Sequence, residues 1–547
     1  MGRVPYPWFT FPDIHLHFFR PLSSATMYLD YLLFHPRAIW FHLHSILWYL
    51  AFVLCAAWLY WRLFPAPLAL LCIVLFTLDD GHAIPAGWWS NRNALVAGAP
   101  ALLALYAHLR WREAGRLAWL PLSLLGLVLG LLGGETALGI CGYIAAYECC
   151  GRRGGDALSL ETRRAHRVYE GWQRAVALMP ALGVAMVFIV VYKWNGFGVY
   201  GSGIYLDPVA EFPQFAAHAP GRFLLLLGAQ FLSLPSELPV VASAFQGPLV
   251  VGGVLTLALV VWLLRLAWPG LTPDERRHLR WLILGSAVSA IPVLATFPSG
   301  RLLLLPSFGG AAVIAVILRY WWRAGRAASW AVRACGILLA AIHLFLAPWA
   351  WPGLAVLVHD VDSRAREVLL ASKLPRDAKA QVVMINGPDP LMGMYPRIML
   401  EYLGAPVPAG WWTLLMSPHD LMLRRIGPRA IELEILDGEL LTEQYEQLFR
   451  SPKDALKAGD VLSAREVAVQ VLAAGDSGPT RMRFTFAPAF FEHAVFLVWK
   501  DGGFRKAQLP PVGEAMHLPR ETGFFNVDFL PAAFRPFPAA HKLRNYR

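Results

Sequence analysis

Long apolar runs separated by short polar stretches fill the first two thirds of the chain, and from about residue 358 the pattern changes to short alternating runs. A helix needs about 20 apolar residues to cross a bilayer, within a range of about 17–25. Runs of this kind lie at 39–61, 66–82, 93–109, 117–134, 135–150, 173–193, 246–268, 279–297, 300–321 and 334–357. The run 220–237 is also apolar, but it contains Pro235 and ends in Glu237. Beyond 358, the segments 381–386, 430–436, 466–472 and 481–486 alternate with period two between Gly and Pro, the signature of half-buried strands. Minor helices are expected near 362–372 and 441–458. The pattern predicts a polytopic α-helical membrane protein of about ten crossings with a mostly β, sandwich-like C-terminal domain. Its parts are a first loop with an amphipathic segment (1–38), a membrane domain (39–357) and an extracytoplasmic β-rich domain (358–547).

Composition agrees with that class. Of the 547 residues 57% are apolar and only 16% charged, where a soluble chain carries roughly 25%. Residues 1–18 are polar and aromatic and lack the apolar core of a cleavable signal peptide. The net charge of +11 is the one feature that could suggest nucleic acid, and its distribution argues against that. Three, six, four and four arginines sit in residues 110–116, 151–174, 265–280 and 319–333, and with their six acids these loops account for the whole +11. Arginines in short loops orient a membrane protein with those loops in the cytoplasm. All four share one side only if 220–237 lies in the interface or re-enters, which leaves both termini outside. The six cysteines all precede residue 336, so the C-terminal region has neither a disulfide nor a cysteine metal site.

Candidate chemistry clusters in the predicted outer loops. Asp79, Asp80 and His82, followed by Trp88, Trp89 and Arg92, put two carboxylates, an imidazole and a guanidinium at one helix junction. Such a set could hold a divalent cation through oxygens, clamp a phosphate or supply a base; an interfacial loop with belt tryptophans is the alternative. Glu135 follows two glycines at a turn, where it either meets a partner or accepts the amides of the next helix. Asp13, His15, His17 and Arg20 make the first loop polar, and Arg301 lies at the outer end of a helix pair, suited to a lipid phosphate or to snorkelling. No GxGxxG, Walker, HExxH or GxSxG pattern stands in a supporting context.

The run Phe19-Arg20-Pro21-Leu22-Ser23, continued by Asp30-Tyr31, Phe34 and Phe41-His42-Leu43, resembles the end of the first outer loop in the GT-C glycosyltransferases. The branch it is most similar to is that of the protein O-mannosyltransferase-like enzymes. There the loop is followed by a helix and a His-Pro-x-His-x-Glu … Trp-x-x-x-Arg segment, whose spacing Asp79–His82 and Trp88–Arg92 share. Gly134-Glu135-Thr136-Ala137-Leu138 looks like that branch's Lys-Glu-Thr-Ala-Leu turn. The match covers about residues 18–150. This chain has Asp79 for the first His, Ile84 for the acid and Gly134 for the Lys. The family's first helix and the acid after it would precede Met1, which leaves Asp13 as the only acid ahead of Arg20.

The resemblance implies inverting transfer of a sugar, hexosyl or mannosyl, from a polyprenyl-phosphate donor to a glycan, lipid or protein acceptor on the outer face of a bacterial plasma membrane. Asp13, Asp79, Asp80, His82 and Glu135 are then the candidate catalytic residues, and Arg20, Arg92 and Arg301 the candidate phosphate ligands, with a divalent cation as the conceivable cofactor. The alternative is a GT-C-like scaffold or lipid-linked glycan binder without catalysis.

Overall fold

The computed structural model describes residues 6–521 and 523 apart from 36, 152–159, 242, 373, 376, 378 and 465, with backbone only for 160–170 and 241. The strand β1 (His15–His17) leads into α1 (Pro21–Phe34), α2 (Ala38–Leu63) and α3 (Ala66–Thr77). After a break at Leu78-Asp79 the chain continues through a turn at Asp80–His82 into α4 (Ala83–Gly87), bent 48° from α3. Then follow α5 (Asn93–Ala114), α6 (Trp119–Gly133), α7 (Gly139–Ala146), α8 (Leu160–Trp194), a short β2 (Gly198–Tyr200), α9 (Phe212–Leu232), α10 (Leu238–Val241), α11 (Gln246–Ala267), α12 (Pro273–Ser289), α13 (Pro306–Ala324), α14 (Trp330–Ala340) and α15 (Ala347–Ala371). The ten apolar runs read from the sequence are largely helical, and the run 220–237 is helical only as far as Leu232. Among the described residues, six helical spans are long and apolar enough to cross a membrane, or seven if the bent pair α3–α4 is one span.

Small residues allow the bundle to pack closely. Gly133 abuts the start of α5 so tightly that an added Cβ would stand 2.7 Å from Ala97 N and Val96 O. Charges tie one end of the bundle together: Arg62 pairs with Glu113, Arg112 and His108 with Glu148 (2.7 and 3.0 Å), and Arg319 with Glu275 (2.6 Å). Phe64 meets the His278 ring, and Tyr147 meets Trp281. The arginine loops after α5, before α12 and after α13 therefore gather on one face. At the opposite end, Ser23 Oγ donates to Gly133 O (2.6 Å) and β1 pairs antiparallel with β2.

α14 and α15 form one helix that passes residue 358 without interruption and ends at Ala371, so the membrane and C-terminal parts share a rod. The C-terminal part adds β3 (Gln381–Asn386), α16 (Pro390–Met394), α17 (Pro396–Tyr402), β4 (Gly410–Leu415), β5 (Leu421–Gly427), β6 (Ala430–Ile435), α18 (Gln444–Gln447), β7 (Val461–Ala464), β8 (Val467–Ala474), β9 (Pro479–Phe486), β10 (Ala494–Lys500), β11 (Gly503–Lys506) and β12 (Ala515–Leu518). A six-stranded antiparallel sheet, β12-β5-β6-β9-β8-β7, faces a four-stranded sheet, β11-β10-β3-β4, in which β10, β3 and β4 run parallel. The expected sandwich is there, with a third layer that alternation did not predict. Val383 and Ile385 of β3 point into the core between the sheets, while Val382 and Met384 pack against Ala365 and Leu369 of α15 and Leu400 of α17. A central parallel strand is covered on both faces, so β3 is a buried run and not a half-buried one.

The first loop belongs partly to this domain. Trp8 and Phe9 are buried in the inter-sheet core, Trp8 Nε1 donates to Leu414 O (2.7 Å), and Arg450 Nε donates to Phe9 O (2.6 Å). The loop between α8 and α9 docks there as well, through the Glu211–Lys453 pair and the bond from Gly203 N to Gln447 O (2.7 Å).

Candidate functional site

Three interrupted helices meet below the C-terminal domain. α3 breaks at Leu78-Asp79, just before Asp80; α9 ends at Ser233 in the left-handed region (φ 48°) and gives way to Leu234–Glu237; and the turn Ser299-Gly300-Arg301 precedes α13. Free backbone groups at such breaks need partners, which is why polar side chains collect here inside an otherwise apolar bundle. The breaks surround a cavity of about 440 Å³ lined by Asp79, Asp80, Ser233, Glu237 and Arg301 on its polar side. Ala350, Gly353, Leu354 and Leu357 of α15 form its apolar wall.

The polar groups differ in how far they are committed. Asp79 is buried, with Oδ1 accepting from Gly81 N (2.9 Å) and Oδ2 from Gln230 Nε2 (3.2 Å), while Trp351 Nε1 donates to its backbone oxygen (3.2 Å). Asp80, one residue on, is half-buried beside Ser233. Glu237 Oε1 accepts from Ser299 Oγ (2.8 Å) and Gly300 N (2.7 Å). The Arg301 guanidinium stands 5.3 Å from the Phe297 ring centre and 5.7 Å from that of Trp88, a cation–π setting that leaves its N–H edge for an anion. From the C-terminal domain, Tyr445 of α18 lies within electrostatic reach of Arg301. Burial raises the Tyr445 hydroxyl pKa, and Arg301 acts in the opposite sense.

Of the eight residues expected in the site, the cavity gathers Asp79, Asp80 and Arg301. His82 is fully buried behind them, its Nε2 2.9 Å from Ser307 Oγ and its ring between Phe52 and Phe76. It packs the bundle and does not face the cavity. Arg92, expected at a phosphate, is fully buried and paired with Asp30, because a guanidinium in a low-dielectric interior needs a counter-charge. Trp48 Nε1 donates to His44 Nε2 (3.0 Å), and His44 Nδ1 stands 2.5 Å from the other Asp30 oxygen and 2.7 Å from Arg92 Nη1.

Arg20 and Glu135 meet each other, Nε to Oε2, at 2.8 Å, with the Arg20 guanidinium over the Phe18 ring. They form a second polar cluster, tied to the first loop and away from the cavity lining. Asp13 is exposed in the turn before β1, so this candidate catalytic acid is a surface residue. His15 and His17 are exposed on one face of β1 with ring centres 6.0 Å apart. Among the described residues, no three His, Cys, Asp or Glu side chains converge closely enough to hold a metal ion. Glu237 and Gln230 are the members that motif spacing missed; the only signal was a carboxylate closing an apolar run that was too interrupted to cross. No family model matches the chain, and no curated protein is significantly similar to it.

Proposed function

We propose that the chain is a membrane glycosyltransferase that moves a sugar from a polyprenyl-phosphate donor to an acceptor hydroxyl on the extracytoplasmic side of a plasma membrane. The observation that carries this reading is one cavity in which carboxylates and an arginine face an apolar helix wall. Such a pocket suits a ligand that is half lipid and half phosphosugar. Asp80 takes the acceptor proton, because both Asp79 oxygens are already engaged. The acceptor oxygen then attacks the anomeric carbon, the bond from that carbon to the phosphate oxygen breaks, and the polyprenyl phosphate leaves with the bonding electrons. Arg301 meets the charge that develops on that phosphate.

The membrane arrangement supports the same orientation. Trp8 lies inside the C-terminal domain, which supports a reading in which both ends of the bundle emerge on one side and the number of crossings is even. Ten crossings satisfy this when the bent α3–α4 pair, α6, α7 with the turns around it, and α13 join the six long spans. In that count α9–α10 dips in and returns: Glu211 before α9 pairs with Lys453, and α10 touches α18, so both its ends meet the C-terminal domain. The arginine loops then face the cytoplasm.

The test is transfer of radiolabelled sugar from polyprenyl-phosphate mannose or glucose to membranes of the protein's own host. Asp80→Asn is expected to slow transfer by about 10²–10⁴, the usual share of a general base. Asp13→Asn is expected to leave it unchanged. Wild-type transfer by both Asp80→Asn and Arg301→Ala would remove the assignment and favour a glycan-binding scaffold.

A further inference from the structure

Glu237 is poorly placed to act as a base, since two donors already hold its Oε1. What those donors belong to is more informative. The turn Gly300–Leu303 is a short 3₁₀ segment, and Ser299 at its start makes no side-chain cap of its own. Instead the Ser299 hydroxyl donates to Glu237, and Glu237 also accepts the amide of Gly300, the first residue of the segment, one of the first-turn amides that have no partner within a helix. The cap is thus supplied from another element, the stretch between α9 and α10. The same turn rests directly on the α3 break: a Cβ added to Gly81 would stand 2.7 Å from Gly300 O. One carboxylate therefore ties the backbone immediately before Arg301 to the α9–α10 stretch, and the turn it holds packs on the backbone that carries Asp79 and Asp80.

We propose that Glu237 is a positioning residue, which holds the Ser299-Gly300 turn so that the Arg301 guanidinium stands over Phe297 and Trp88 with its N–H edge directed at an anionic phosphate in the cavity. This rests on the reading of Arg301 as the phosphate anchor. Arg301 has long side-chain freedom, and a loose turn would multiply the arrangements it must give up on binding. The held turn removes that cost before the ligand arrives.

Two measurements on the full chain in lipid nanodiscs test this. The first is hydrogen exchange of the peptide around 297–304 without ligand. Losing a hydrogen bond to a charged acceptor should speed exchange at Gly300 by about tenfold in Glu237→Ala. Glu237→Gln, which keeps an acceptor oxygen, should stay near wild type. The second is binding of undecaprenyl phosphate by wild type, Glu237→Ala, Arg301→Ala and the double variant. Glu237→Ala is expected to weaken binding by about tenfold, and the double variant to be no weaker than Arg301→Ala alone, because a residue that acts through Arg301 has nothing to add once it is gone. Unchanged exchange, or losses that multiply in the double variant, would overturn the positioning role while leaving Arg301 as the anchor. Wild-type binding by Arg301→Ala would overturn the anchor itself, and the proposal with it.

Discussion

Trp8→Ala destabilises the C-terminal domain by about 3–5 kcal/mol, the range for removing a large buried aromatic. Trp8 lies more than 370 residues before β3 in sequence, yet its indole fills the space between the two sheets. Its ring meets Phe484 edge-on at 5.5 Å and Phe9 at 5.6 Å, and its Nε1 hydrogen bonds to Leu414 O at the end of β4. Alanine forfeits the packing and also leaves that carbonyl unpaired in a dry core. Tyr6→Ala, two residues away and 58% exposed, should stay within about 0.5 kcal/mol of wild type. Denaturant unfolding of the full chain in nanodiscs, followed by protease cleavage within β5–β9, separates the two variants. Equal protection in both would mean that the N-terminal strap around Trp8 is incidental to the domain.

The strap also shows where sequence and structure part company. Hydropathy marked the apolar helices because bilayer thickness fixes their length, and the arginine loops after α5, before α12 and after α13 fall on one end of the bundle, while the loop at 151–174 lies largely outside the described residues. Those constraints are local and can be read one window at a time. Trp8 was invisible by the same logic: an aromatic residue in a polar stretch reads as an interface anchor until its distant partner is known. β3 was legible as a strand but misread as half-exposed, since alternation cannot report a helix layer supplied by the far end of α15. Within the site, Asp79 and Asp80 were found because carboxylates in an apolar chain are costly and few. His82, equally polar, turned out to serve packing with Ser307 and two phenylalanines. A buried imidazole can be neutral and satisfied, so its presence carries less information than a buried carboxylate. Glu237 stood at the end of a run discounted for its proline, and only the fold brings it to Ser299 and Gly300.

Arg92 gives the sharpest contrast between a residue that looks functional and one that holds the fold. Its guanidinium and the Asp30 carboxylate are both fully buried and joined to each other, with His44 on the second Asp30 oxygen. Removing one member strands a charge in a low-dielectric interior, which costs about 3–5 kcal/mol, whereas replacing both by uncharged residues of similar size is far milder. Arg92→Ala and Asp30→Ala are therefore expected to reduce folded yield sharply, and Asp30→Asn combined with Arg92→Met to recover most of it. Thermal unfolding of the detergent-purified variants, read by the loss of monodisperse protein, compares wild type, the two single variants and the uncharged pair. Full stability of Arg92→Ala would show that the pair is dispensable and return Arg92 to the list of ligand contacts. The same series protects the functional test from a false positive. Sugar transfer by Arg92→Ala should fall only in proportion to the folded fraction, while Arg301→Ala should lose transfer at full folded yield, since the Arg301 guanidinium leans on aromatic rings at the cavity edge and supports no buried charge.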